Sequence, residues 1–454
     1  MLSPFIFLHL FAMKIPSIPG FDPDAFQKYF KNAGWLMFGK ILSLFAGIII
    51  ARFLGPNAFG DLSFATALTA IVAAIGTLGL DSFIIREILH DPEKRDEILG
   101  TSFWLRVVVN AVIIPVSVIL YLFFHNMSDK PGDNLTMVII LCASASFFKA
   151  FNIIDSYFQS QVRSKYVVQV QNIVLVLSAC IKISFVWLKL PLVYFAFALV
   201  LDGLMLAIGL VIIYHGQNLH IRQWKFETNR AESLLRQSWP LILTAVMISL
   251  YMQIDTVMLK SAGSAQVGIY GAAARISEAW YFIPMAIVTS VFPAMIHARK
   301  TDLPRYHKRL QNLYDLLVLI SLPVALIISL SANPIIHLIY GPAYEGAGIM
   351  LSVHIWSGVF VFMGSASSQY LLAEGYTMIS FYRTAAGALV NIVLNIWLIP
   401  LYGGLGASIA TLIAYFVATF SILILSRTRQ QGFMMLKSLF LISIIQKLSE
   451  VREK

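Results

Sequence analysis

From residue 34 to residue 425 the chain is a succession of long apolar runs separated by short polar or basic segments. A helix that crosses the roughly 30 Å hydrocarbon core of a bilayer needs about 20 apolar residues. Runs of that kind lie near 34–54, 61–84, 100–124, 136–160, 167–188, 190–214, 238–259, 267–296, 312–332, 347–372, 379–400 and 404–425. The pattern therefore predicts an all-α polytopic membrane protein of about twelve transmembrane helices. The stretch 432–445 is too short to span comfortably; Lys437 interrupts it and Lys447, Arg452 and Lys454 follow it. It reads as an interfacial amphipathic helix.

The longest polar connection, Tyr214 to Ser238, falls between the sixth and seventh runs and divides the chain into two six-helix lobes. The expected organisation is a lead-in over 1–33, lobes over 34–214 and 238–425, a linker over 215–237 and a basic amphipathic tail over 426–454. The halves echo one another. Gly34-Trp35 opens the first run and Ser238-Trp239 the seventh; Phe59-Gly60 before Ala65 recurs as Val267-Gly268 before Ala273. An even number of spans per half makes this a parallel repeat about an axis along the membrane normal.

Composition agrees. The 454 residues are 58% hydrophobic and 12% charged, with mean hydropathy +0.78, whereas soluble domains carry about 25% charged residues. The net charge of +10 follows from where Lys and Arg sit. With the N-terminus inside, 24 fall on one side of the membrane and four (Arg52, Lys130, Lys189, Lys260) on the other. That bias predicts cytoplasmic N- and C-termini, and it explains the charge without nucleic acid. Cys142 and Cys180 lie in apolar runs and form no disulfide or metal framework, and the nine histidines have no metal-ligand spacing. No catalytic or metal residues are expected, and no cofactor. Leu2 to Met13 lacks a basic lead and a cleavage site, so it makes a poor signal peptide; Met13 is the expected natural start.

With Arg52 counted among the outer segments and Arg383 among the cytoplasmic ones, five basic residues fall inside spans: Lys40, Arg106, Lys149, Lys182 and Arg275. Each costs about 2.5–3.5 kcal/mol at a helix centre facing lipid, on the order of 12–17 kcal/mol together, comparable to a whole fold's stability. They are expected to face a wet cavity or to pair, with Arg106 and Lys182 the best placed to snorkel. Arg275 and Glu278, three apart, share a helix face. Lys149, Asn152, Ser156 and Gln159 form one stripe at helical spacing, Arg106 stacks on Asn110, and Asn391 on Asn395. Interhelical hydrogen bonds account for Asn and Ser stripes but not for lysines. The reading is a central cationic cavity lined by Lys40, Arg106, Lys149, Lys182 and Arg275 with Asn152, Ser156, Gln159, Asn391 and Asn395. Such a cavity calls for an anionic substrate, because desolvated phosphate needs positive partners.

Ala51-Arg52-Phe53-Leu54-Gly55-Pro56, Phe59-Gly60, Leu78-Gly79-Leu80-Asp81 and Arg86-Glu87 resemble the opening of the polysaccharide transporter family of the multidrug/oligosaccharidyl-lipid/polysaccharide (MOP) flippase superfamily. Gln253-Ile254-Asp255, Val267-Gly268-Ile269-Tyr270 and Ala273-Ala274-Arg275 resemble the start of its second half. Asn391-Ile392-Val393-Leu394-Asn395, Ile399-Pro400 and Tyr402-Gly403-Gly404-Leu405-Gly406-Ala407 resemble its C-terminal region. The resemblance implies a flippase for undecaprenyl-diphosphate-linked oligosaccharides, the repeat units of O-antigen, capsule or exopolysaccharide, in a bacterial or archaeal cytoplasmic membrane. It implies two lobes around a cationic cleft, alternating access and coupling to H+ or Na+. Arg275 matches the family's arginine in the second half; Lys40 corresponds more loosely to a lumen-facing basic residue.

The expected ligands for the diphosphate are Lys40, Lys149 and Arg275, with Arg106 and Lys182 accessory and Asp255 and Glu278 as ion-coupling candidates. Polysaccharide polymerase and chain-length machinery are possible partners. The alternatives are a flippase for peptidoglycan lipid precursors, a multidrug exporter of the same superfamily, and a membrane polysaccharide polymerase. Five buried bases suit cationic drugs poorly. The short outer loop His125 to Leu135 leaves little room for an enzyme active site.

Overall fold

A computed structural model describes the backbone of residues 23–125 and 133–452, and the side chains of 39, 42–123, 135–292, 295–447 and 449. The expected start at Met13 and most of the 1–33 lead-in lie outside these residues, and so does the Lys40 side chain. Among the described residues every regular element is helical.

The first half holds α1 (Pro23–Gly76), α2 (Asp81–His90), α3 (Arg95–His125), α4 (Asp133–Phe147), α5 (Ile153–Ser160), α6 (Lys165–Trp187) and α7 (Leu192–His215). At 1.5 Å per residue an unbroken α1 would run about 80 Å, far beyond the thickness of a bilayer core. Gly55, at φ 70° and ψ 170°, breaks it into two arms. Nothing stands within 4 Å of the place a Gly55 Cβ would occupy, so the backbone angle, not space, selects glycine. Pro56 then begins the second arm, where its missing N–H costs no hydrogen bond.

The second half holds α8 (Thr228–Met258), α9 (Ser264–Glu278), α10 (Phe282–Thr301), α11 (Leu303–Leu330), α12 (Ala332–Ile339), α13 (Ala347–His354), α14 (Ser357–Ala373), α15 (Thr377–Tyr402) and α16 (Gly404–Phe420). Helix α8 begins inside the expected 215–237 linker because the Glu227 carboxylate caps it, accepting from the backbone N–H of Asn229 and Arg230. Eleven helical segments among the described residues are long and apolar enough to cross a membrane. The first of these, Leu42–His90, contains the break at Gly55, which accounts for the difference from twelve.

Four expected spans are interrupted, the run 61–84 by a turn over 77–80 between α1 and α2. A 3-10 turn over Phe148–Asn152 separates α4 from α5. The run 267–296 divides into α9 and α10, and 347–372 into α13 and α14. Apolar content alone does not reveal such breaks, since both pieces stay in the same environment. The tail is two short helices rather than one. It forms α17 (Arg429–Leu439) and α18 (Ile442–Arg452), hinged at Leu441 with φ 58° and fastened to α11. Ser438 and Ser443 donate to Asp315 at 2.5 and 2.8 Å, and Gln431 donates to the Tyr314 hydroxyl at 2.6 Å.

The halves join through α1 and α9, whose small residues permit close approach. A Cβ on Gly60 would stand 1.8 Å from the Ser264 carbonyl oxygen, and one on Gly268 would stand 2.0 Å from that of Pro56. Lys260 and Asp61 pair across this seam at 2.6 Å, with the Ser264 hydroxyl on the same carboxylate oxygen. Tyr344 donates to the Ala51 carbonyl at 2.5 Å. All of these contacts cluster at the end of the bundle that carries Gly55 and Lys260.

Candidate functional site

A cavity of about 990 Å³ lies between the halves. Its walls come from α1, α6 and α7 on one side and from α8, α9, α10, α14, α15 and α16 on the other. Apolar side chains dominate, and the charged groups among them are Lys182, Arg275, Glu278 and Arg383.

Arg275 emerges near the end of α9, after the small stretch Gly271 to Ala274 that packs on α1. Its guanidinium carbon sits 4.4 Å from the centre of the Phe59 ring, a cation–π arrangement. A Cβ on Gly47 would lie 3.0 Å from Arg275 Nη1, so the missing side chain makes room for the guanidinium. The expected partner, Glu278, also faces the cavity, but no ion pair forms between the two among the described residues. Arg275 thus has a ring against it and no carboxylate.

Lys182 also faces the cavity, but Asp202 holds it at 2.5 Å and Ser178 accepts from it at 2.8 Å. Arg106 lies off the cavity wall. It is buried in the first half and donates to Asp81 at 2.8 Å and to the Thr77 carbonyl at 3.0 Å. Both side chains expected to snorkel are therefore paired with carboxylates instead. The Asn110 amide donates to the Arg106 carbonyl oxygen at 2.8 Å, which keeps that stack but turns it inward.

The Lys149 stripe does not line the cavity. Its spacing presumed an unbroken α-helix, and the 3-10 turn over Phe148–Asn152 changes the rotation per residue. Lys149 and Gln159 are exposed, Asn152 is half-buried, and Ser156 donates to Asp81 at 3.2 Å. Asn391 and Asn395 are likewise off the wall. They pack around Asp255, itself buried behind the cavity. Thr411 donates to Asp255 at 2.6 Å and Tyr270 at 3.2 Å, and the Asn395 amide contacts its other oxygen. No basic side chain pairs with Asp255 among the described residues, and Asn395 Oδ1 and Asn391 Nδ2 are buried without partners.

Arg383 is the charged wall residue that sequence reasoning misplaced. Counted among the cytoplasmic connections, it sits inside α15, buried and facing the cavity. It donates to Ser367 at 2.8 Å, to Ser368 at 2.6 Å and to the Gly364 carbonyl at 3.4 Å. Its place within the run 379–400 was the available signal. Three wall tyrosines, Tyr251, Tyr281 and Tyr415, also escaped notice because an aromatic in an apolar run looks like core.

Residues 29–298, more than half of the chain, match the family model described as polysaccharide biosynthesis protein, and residues 240–397 match the MatE model. The probable flippase AglR of Haloferax volcanii is 30% identical over 169 residues, which cover 36% of this chain and 35% of that protein. The match thus spans little more than a third of that relative's length. The fold is shared with the lipid II flippase MurJ in an inward closed conformation, at TM-score 0.72 and 16% identity over 92% of this chain and 93% of that one. An inward-facing multidrug resistance MATE family transporter of the MOP superfamily superposes at TM-score 0.71 and 16% identity, over 95% and 99%. A multi-pass helical fold of this kind, with the first model covering the first half and the opening of the second, shows that the chain belongs to the polysaccharide biosynthesis protein family of MOP-type membrane proteins.

Proposed function

We propose that this protein is a flippase that moves a polyprenyl-diphosphate-linked oligosaccharide from the inner to the outer leaflet of the cytoplasmic membrane by alternating access. The expected cargo is the undecaprenyl-linked repeat unit of an O-antigen, capsule or exopolysaccharide. The observation that carries this reading is Arg275, a guanidinium without a carboxylate partner on the wall of a cavity between two membrane-embedded halves. A guanidinium binds phosphate oxygens through paired N–H donors, and low dielectric strengthens that contact. At about 990 Å³ the cavity is at the upper end of the roughly 300–1,000 Å³ of small-molecule sites. That volume suits a short glycan and its diphosphate, with the polyprenyl chain left in lipid. The similarity to the probable flippase AglR and to the lipid II flippase MurJ supports the flippase reading.

With the termini cytoplasmic, as the Lys and Arg distribution favours, the seam at Asp61, Lys260, Gly60 and Gly268 lies on the outer side. This conformation would be shut outward, and parting that seam would release cargo to the outer leaflet. Asp255 is the group best suited to ion coupling. A buried carboxylate without a basic partner needs a proton or a small cation to offset its charge. The oxygens of Asp255, Thr411, Asn391 and Asn395 are hard donors of the type that hold such ions. Glu278 remains a second candidate, on the cavity wall itself.

Deleting the gene in its own host and extracting lipids tests the proposal. The expected result is a build-up of polyprenyl-linked oligosaccharide at the inner leaflet, reversed by the intact gene. Accumulation of a peptidoglycan precursor instead would move the cargo to that class. Loss of glycan with no lipid-linked intermediate would replace a flippase with a biosynthetic enzyme.

A further inference from the structure

We infer that Phe59 is a positioning residue for the cargo diphosphate: its ring orients Arg275 only while the seam between the halves is shut, so that parting the seam loosens the grip on the cargo and lets it go. This rests on the transport reading above and adds to it the step that ties release to opening. Arg275 belongs to the second half and Phe59 to the first, and the guanidinium carbon lies 4.4 Å from the ring centre. Among the described residues Arg275 makes no hydrogen bond and no ion pair, so this ring and the open space beside Gly47 are what set its direction. Lys182 is different. Asp202 and Ser178, both of its own half, hold it at 2.5 and 2.8 Å, so movement between the halves leaves its partners in place.

Phe59 is part of the seam. It directly precedes Gly60 and Asp61, which meet Ser264 and Lys260 across it. Its side chain is fully buried, and a Cβ on Gly271 of α9 would stand 3.7 Å from the ring. A second contact clamps the same stretch. The short 3-10 turn Pro342–Tyr344 carries Tyr344, whose ring meets Phe59 edge-on, 6.3 Å between centres at 71°. The Tyr344 hydroxyl donates to the Ala51 carbonyl. Tyr344 therefore touches α1 on both sides of the break at Gly55, and Tyr340 backs it at 5.1 Å. When α1 and α9 separate at this end, Phe59 moves with α1 and Arg275 with α9. A guanidinium lying over a ring keeps its edge N–H groups free, and those are the donors that phosphate oxygens take. With the ring withdrawn, the attraction between its face and the charge is lost, and the side chain regains rotamer freedom that binding must remove again. Filling the seam needs only an apolar side chain of this size; the aromatic face toward the guanidinium is the extra feature.

The test measures binding of undecaprenyl diphosphate to the full chain in lipid nanodiscs. Phe59→Leu is expected to weaken it about tenfold, and trifluorophenylalanine at position 59, which keeps the ring but drains its electron-rich face, about threefold. Gly268→Ala puts a methyl group 2.0 Å from the Pro56 carbonyl oxygen and so wedges the seam. It is expected to weaken binding about tenfold, and adding Phe59→Leu to it should cost less than about twofold more, because the ring has already been withdrawn. Should Phe59→Leu fail to fold, the fluorinated ring carries both comparisons. Should Gly268→Ala fail to fold, Asp61→Lys, which faces Lys260 with a like charge, takes its place. Wild-type affinity in the trifluorophenylalanine protein, or an undiminished penalty for altering Phe59 on the wedged background, overturns the positioning role and leaves the flippase reading standing. A wild type that does not bind undecaprenyl diphosphate overturns both.

Discussion

The two halves of the molecule differ in the charges they present to the cavity. In the first, the wall residue Lys182 is paired with Asp202, and Arg106, off the wall, with Asp81. In the second, Arg275, Arg383 and Asp255 sit in or behind the cavity wall with rings, hydroxyls and amides around them and no ion pair among the described residues, although Asp315 and Glu374, off the wall, are paired with Lys447 and Arg299. Pairing neutralises a charge and makes it part of the packing. An unpaired charge keeps an unmet demand, and a ligand or ion entering the cavity can meet it. Under the proposed function, the unpaired groups of the second half are the ones that binding would use, while first-half residues complete the wall.

Removing Arg275 should sharpen that contrast most. Arg275→Gln is expected to lower export of the lipid-linked glycan at least tenfold, while the amount of protein in the membrane stays within about twofold. Immunoblotting of membranes alongside surface glycan measures both, and normal export would end the assignment of Arg275. Next in size is Asp255→Asn, which removes the group able to exchange a proton or cation. In proteoliposomes with imposed H+ or Na+ gradients, the variant should lose gradient-stimulated flipping; stimulation equal to wild type would move ion coupling away from this cluster.

The smallest effect belongs to the first half and is one of stability. Asp81→Asn leaves Arg106 buried without its carboxylate. Because the Asp81 side chain is 55% exposed, water screens the pair, and the loss should be only about 1–2 kcal/mol. Thermal unfolding in detergent would register it, and replacing both partners with neutral residues should restore part of it. A melting temperature unchanged by Asp81→Asn would break the comparison, since the first-half pairs would then have no structural role.

Legibility varied with how local each feature is. The break at Gly55 was readable, because Gly-Pro between two apolar runs marks a turn wherever it falls. Arg275 was readable from its place in the Val267-to-Arg275 pattern, although its freedom from Glu278 was not. The Lys149 stripe failed because a 3-10 turn of five residues, Phe148–Asn152, rotated it away from the cavity. The hydropathy pattern does not separate that turn from a helix, since Phe148, Ala150 and Phe151 suit either and Lys149 and Asn152 read as a polar stripe. Arg383 failed for a different reason: a count of basic residues by side treats a lumen-facing arginine near a helix start as one more loop charge.

By itself the sequence determined that this chain is a multi-pass helical membrane protein, roughly how many of its helices are long and apolar enough to cross, and that several charges fall within them. Those follow from hydropathy and spacing along the chain, because the bilayer acts on each segment separately. Which of those charges are neutralised and which face open space was decided only by the tertiary structure. Arg106 and Arg275 look alike in sequence. Only the packing of helices distant along the chain places a carboxylate beside the first, and a ring and a cavity beside the second.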